Sequence, residues 1–139
     1  MAEALILDSE AFNALAHASS RPVLAERARS ILQVAHEKRA LVRIPAPVLA
    51  EVFRGRAVDA AAYRLLHGNG ISVIELEQRT AIRAGALLAR AKLDSAHAVD
   101  AFVVATALEF QSSVIATHDS DDLKRLSSAF RDRVTIFTI

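Results

Sequence analysis

Four acids in this chain stand where an acid is either costly or well placed for chemistry. Asp100 interrupts AVDAFVVATAL, residues 98 to 108, whose other members are apolar apart from Thr106. An ionised carboxylate taken into an apolar interior without partners loses its hydration, so something must compensate it. Glu51 lies in VLAEVF among Val48, Leu49, Val52 and Phe53. Asp8 directly follows LIL, and Asp119 follows SVIAT with only His118 between them. Asp121 and Asp122 come immediately after, Asp122 one helical turn beyond Asp119.

Each acid has an ordinary explanation when taken singly. Asp8, Asp119, Asp121 or Asp122 at the start of a helix caps free N–H groups, a contribution of ~0.5 to 2 kcal/mol. Asp100 in a first turn serves its helix terminus or meets an arginine in a buried ion pair. Glu51 pairs with Arg54 along a helix surface for ~0.2 to 0.5 kcal/mol. Convergence changes the reading: if Asp8, Glu51, Asp100 and Asp119 meet, their mutual repulsion raises pKa values or opens the fold unless a cation sits among them. Oxygen ligands without cysteine favour Mg²⁺ or Mn²⁺ over zinc.

Positioning such acids requires elements that end together. ALIL (4–7) reads as a strand, followed by a helix over 9–18 with Phe12 and Leu15 in phase. After HASSRP, a second helix places Val23, Ala28, Ile31, Leu32 and Ala35 on one face. ALVRI is a strand stopped by Pro45. A helix then runs from Pro47 through VLAEVFRG, and another after Gly55 holds Ala61, Leu65 and Leu66. HGNG turns into the alternating strand ISVIEL, residues 78–92 form an amphipathic helix, and LDSAH caps the helix carrying Asp100. SVIAT is a buried strand, HDSDDLKRL a short helix and RVTIFTI a last strand. Strands alternating with helices predict an α/β fold with a mainly parallel central sheet of about five strands, and the absence of repeats or linkers predicts one domain over 1–139. In such sheets ligands gather at the carboxyl ends of the strands, where Asp8 and Asp119 fall.

Composition narrows the class. The chain has 139 residues, 53% of them hydrophobic, enough for a sizeable core. Without cysteine there are no disulfides or thiolate metal sites. MAEALILD lacks a basic n-region and reads as a strand rather than a signal peptide, and no apolar run approaches the roughly 20 residues that span a bilayer. These features predict a soluble, cytoplasmic protein with no membrane contact. Net charge is only +1, yet setting the four acids aside leaves 12 acids against 17 basic residues, a formal +5. A negative pocket within a positive surface suits a phosphodiester substrate.

In order and spacing, LILDS, PAPVLAEVFRG, HAVDAFVVATAL and VIATHDSDDL resemble the PIN-domain nucleases, and among them the VapC-like toxins of type II toxin–antitoxin pairs. The resemblance implies a PIN-like three-layer sandwich and a metal-dependent endoribonuclease using Mg²⁺ or Mn²⁺. It puts the family's acids on Asp8, Glu51, Asp100 and Asp119, with metal held by Asp8, Asp100, Asp119 and Asp122. Ser9 and Thr117 match its supporting polar residues. It also implies an RNA substrate, a homodimer and a cognate VapB-like antitoxin whose tail crosses the active-site groove; the alanine- and leucine-rich helices between 46 and 66 are either a partner surface or core.

Arg54 and Arg56, just beyond Glu51, are candidates for holding RNA phosphates, or else a solvated helix end. His118 and His97 each read as an innocuous surface histidine in preference to a proton carrier close to the metal, and neither is counted as a ligand. Two rival readings remain. One is a receiver-like phosphoacceptor of flavodoxin-like build, weakened because no lysine follows SVIAT until Lys124. The other is a non-catalytic PIN-like RNA-binding module.

Overall fold

The computed structural model describes residues 3–139; the opening Met1 and Ala2 of the expected N-terminal strand reading lie outside them. Five strands, β1 (Glu3–Leu7), β2 (Leu41–Pro45), β3 (Ile71–Ile74), β4 (Ser112–Thr117) and β5 (Val134–Thr138), form one sheet in the order β3-β2-β1-β4-β5. Every neighbouring pair is parallel. The central strands are apolar on both faces because helices cover both: Leu5, Ile6, Leu7, Val42, Ile44, Ile115 and Ala116 are all buried.

One group of helices is α1 (Ser9–Ala16), α2 (Pro22–Glu37), α3 (Ala46–Val52) and α4 (Ala60–Leu66). The other is α5 (Gln78–Ala91), α6 (Ala98–Ala107) and α7 (Asp121–Leu126). The first group packs around α1, and α5 and α7 pack on each other and on α6. This is the α/β sandwich the alternation of strands and helices predicts. α6 shows why its sequence reads as uniformly apolar: Ala101, Val103, Val104, Ala105, Thr106 and Ala107 are all buried, so the helix keeps almost no solvated face.

Local boundaries differ from the sequence reading in small, explicable ways. Pro45 does not stop β2 before itself but is its last residue, paired in register with Ile74, since a terminal strand position asks no N–H of proline. The helix then begins at Ala46. β3 ends at Ile74 rather than running through Leu76, and α1 ends at Ala16. The strand order also corrects the receiver-like reading: receiver folds run 2-1-3-4-5, whereas here β1 is flanked by β2 and β4. Chain progression reverses between β1 and β4, and the crevice beyond their carboxyl ends is where a parallel sheet of this kind presents a ligand site.

Candidate metal centre

Asp8 leaves β1 at that crevice. It is 5% exposed, and its Oδ1 accepts the Ala11 N–H at 2.9 Å, so it is the N-cap of α1. Burial, with added repulsion from Glu10 and Asp100, pushes its carboxyl up to about 7 against the lowering pull of Thr117 and the Ala11 amide. Ser9, half-buried, opens α1 beside it.

From β4 comes Thr117, fully buried, whose hydroxyl lies 3.1 Å from the Asp119 carbonyl oxygen and is also the side-chain hydrogen-bond partner of Asp8. The one hydroxyl proton serves either acceptor but not both at once, so Thr117 sits between the end of β1 and the loop after β4. Asp119 is exposed on that loop, and its backbone N–H donates to Glu10 Oε1 at 3.2 Å. Glu10 is a member of this neighbourhood that the sequence reading did not single out.

Asp100 comes in from α6, half-buried, within electrostatic reach of the other acids, of which Asp122 is the one whose ligand atom groups with its own within 4.8 Å. Desolvation raises its pKa first, then repulsion from Glu51 and Asp122, with Asp119 adding to it and His97 opposing it. Asp100 thus feels carboxylates carried by α3, α7 and the β4 loop, and feels Asp8 from β1. The arginine partner that a buried ion pair requires is missing: among the described residues the ion pairs are Arg79–Glu77 and His97–Asp122.

His97, which the sequence does not mark as a ligand, is brought beside Asp122 and Asp100 by the structure. Its Nδ1 lies 3.3 Å from Asp122 Oδ2, and one ligand atom each from His97, Asp100 and Asp122 falls within 4.8 Å of the others. A histidine three residues before Asp100 shares its helix face, which is the signal the sequence carried. His118, by contrast, turns its Nδ1 to the Ile139 carbonyl oxygen at 3.2 Å.

Glu51 is exposed on α3 and is not Arg54's partner. The Arg54 guanidinium instead donates to the carbonyl oxygens of Ala50 and Phe53 at 2.9 and 3.0 Å, closing the end of α3. Arg54 and Arg56 are both exposed, and their loop is built around Asp59, which sequence reasoning passed over. The buried Asp59 carboxylate accepts the backbone N–H groups of Arg54, Gly55 and Arg56. Burial opposes its ionisation, yet these amides and the Arg56 charge hold its pKa below the usual value. Gly55 takes φ +71° there, a left-handed conformation that glycine adopts without strain.

The donor set suits a hard divalent ion. It is composed of carboxylates with one imidazole, contains no lysine or arginine neutralising it, and raises the pKa of the two acids at its centre. The PIN domain family model matches residues 5–128, so the chain belongs to the PIN-domain family. PIN domains are generally metal-dependent nucleases. No curated protein matches the chain at a significant level.

Proposed function

We propose that the protein is an endoribonuclease that hydrolyses RNA phosphodiester bonds with Mg²⁺ or Mn²⁺. The observation that carries this reading is geometric: in a PIN-domain chain, one ligand atom each from His97, Asp100 and Asp122 falls within 4.8 Å of the others, and among the described residues no arginine or lysine is in an ion pair with them. Asp8, Asp100, Asp119 and Asp122 are the residues to hold the ion, with His97 orienting Asp122. When bound, a divalent ion supplies positive charge that polarises the phosphate and makes a water more acidic.

The remaining work belongs to the chain. Thr117 and the Ala11 amide fix the Asp8 carboxylate, so it does not swing away when its proton is lost. Glu51, exposed on α3 and near enough to raise the pKa of Asp100, is the residue to orient the attacking water by accepting its hydrogen. The half-buried site limits competing water around the carboxylates, which strengthens their fields.

The test is cleavage of single-stranded RNA with Mg²⁺ or Mn²⁺ against EDTA, for the wild type and for Asp100→Asn. The reading expects ion-dependent cleavage by the wild type and none by the variant. Cleavage by Asp100→Asn at the wild-type rate contradicts it.

The finer role we infer is that of the toxin of a toxin–antitoxin pair, acting in the cytoplasm as a homodimer and restrained by a VapB-like antitoxin. Support comes from the stretch from α3 to α4, where Val58 is 53% and Tyr63 57% exposed while Val48, Val52 and Ala62 are core. Tyr63 stands edge-on to Phe53, with ring centroids 4.7 Å apart. Aromatic and aliphatic surface of this kind suits a protein partner. No helix among the described residues is long and apolar enough to cross a membrane. Co-purification with a small protein encoded beside this one checks the partner, and sedimentation of the free chain checks the dimer.

A further inference from the structure

A cationic recess lies one helical turn from the acidic centre. Lys124, Arg125, Ser128, Arg131 and Ala91 line a cavity of about 360 Å³ where α7 meets the end of α5. No carboxylate lines it, and among the described residues none of its three cations is in an ion pair. In a chain of net charge +1, that is a local concentration of unmatched positive charge.

Two of the neighbouring cations are held in place. Arg125 donates through Nη2 to the Ala91 carbonyl oxygen at 2.8 Å, spending one nitrogen on the end of α5 and leaving the others of its fork. Arg90 lies over the Phe130 ring, 5.9 Å from its centroid. Ordered cations bind an anion with less loss of side-chain freedom than free ones.

Two links of the chain relate the recess to the acidic site. Asp122 and Arg125 are three residues apart on α7 and so share a face. From Ala91 the chain passes through Lys92 and the Asp94-capped turn to His97, which meets Asp122 at 3.3 Å. By contrast the guanidinium of Arg54 is bound to two backbone carbonyls.

We propose that Lys124, Arg125 and Arg131 bind the phosphates of a single-stranded RNA next to the bond presented to Asp100. This rests on the nuclease reading for its placement, though not for its test. The recess recognises backbone charge, because its lining holds three cations and no aromatic side chain on which a base could stack.

The experiment is equilibrium binding of a fluorescent single-stranded oligoribonucleotide in EDTA, where no cleavage occurs, over a series of salt concentrations. The Lys124→Ala/Arg131→Ala double variant is compared with the wild type and with Lys38→Ala/Arg29→Ala, which removes the same charge from exposed positions at and beyond α2. The proposal expects about a tenfold loss of affinity for the first variant, with the slope of log K against log salt lower by about 1.4, and neither change for the second. Equal binding by the wild type and the first variant, equal losses in both variants, or no RNA binding by the wild type overturns it. Charge-dependent RNA binding at this recess, without any ion-dependent cleavage by the wild type, upholds this proposal and contradicts the nuclease reading.

Discussion

The Nδ1 atom of His97 lies 3.3 Å from Oδ2 of Asp122, at the edge of a group in which Asp100 offers a third ligand atom within 4.8 Å. His97 also lowers the pKa of Asp100, so a single imidazole both aims one carboxylate and offsets charge on another. Replacing it by alanine removes both effects. His97→Ala is expected to bind Mn²⁺ at least tenfold more weakly, and the acid limb of its pH–cleavage profile moves to higher pH. Isothermal titration and rates across pH 5 to 8 check the two halves separately.

Asp8 ties stability to pH. Its folded pKa is about 7 against an ordinary 3.8, so between those values the folded chain keeps a proton the unfolded chain has released. Stability therefore falls as pH rises through that window, with a full penalty of roughly 4 kcal/mol at most above pH 7. Asn remains a good N-cap without the charge. Asp8→Asn is expected to melt higher than the wild type at pH 8 in EDTA, with the gap closing towards pH 4. Melting curves at the two pH values suffice.

Asp59 has the opposite sign. Its pKa is lowered, so its contribution is present above the ordinary carboxylate range and lost as pH falls through its folded value. Asp59→Asn leaves the amides of Arg54, Gly55 and Arg56 with a weaker acceptor. It is expected to lower the melting temperature at pH 7 and to match the wild type in strong acid.

Empty of cation, the centre is a set of like charges, and Asp100→Asn removes the acid that feels most of them. The variant is expected to lose at least about 10³-fold in cleavage, while melting no lower than the wild type in EDTA. A circular dichroism melt beside the cleavage assay shows whether lost activity is lost fold.

The sheet was legible because ALIL and SVIAT are short apolar runs that only a strand covered on both faces tolerates, each ending on an acid or one residue before it. That put Asp8 and Asp119 at the carboxyl ends of strands, and the sheet order makes those two strands neighbours. His97 and His118 look alike in sequence, each within three residues of an acid; the helix phase of α6 and the turn to Ile139 separate them. Asp59 carried no signal in RAVDA, because its partners are backbone amides of a loop that closes only once Gly55 takes a left-handed conformation. Arg54 beside Glu51 read as a helix-surface pair, yet its guanidinium found unsatisfied carbonyls at the end of α3 instead.

The central claim is that carboxylates from four parts of the chain close around one divalent cation. Calorimetric titration of the cation-free protein with Mn²⁺ at pH 7.5, for the wild type, Asp8→Asn and Asp100→Asn, measures this most directly. Saturable binding by the wild type, weakened strongly in both variants, is the predicted result; no binding by the wild type, or binding unchanged by either substitution, contradicts it.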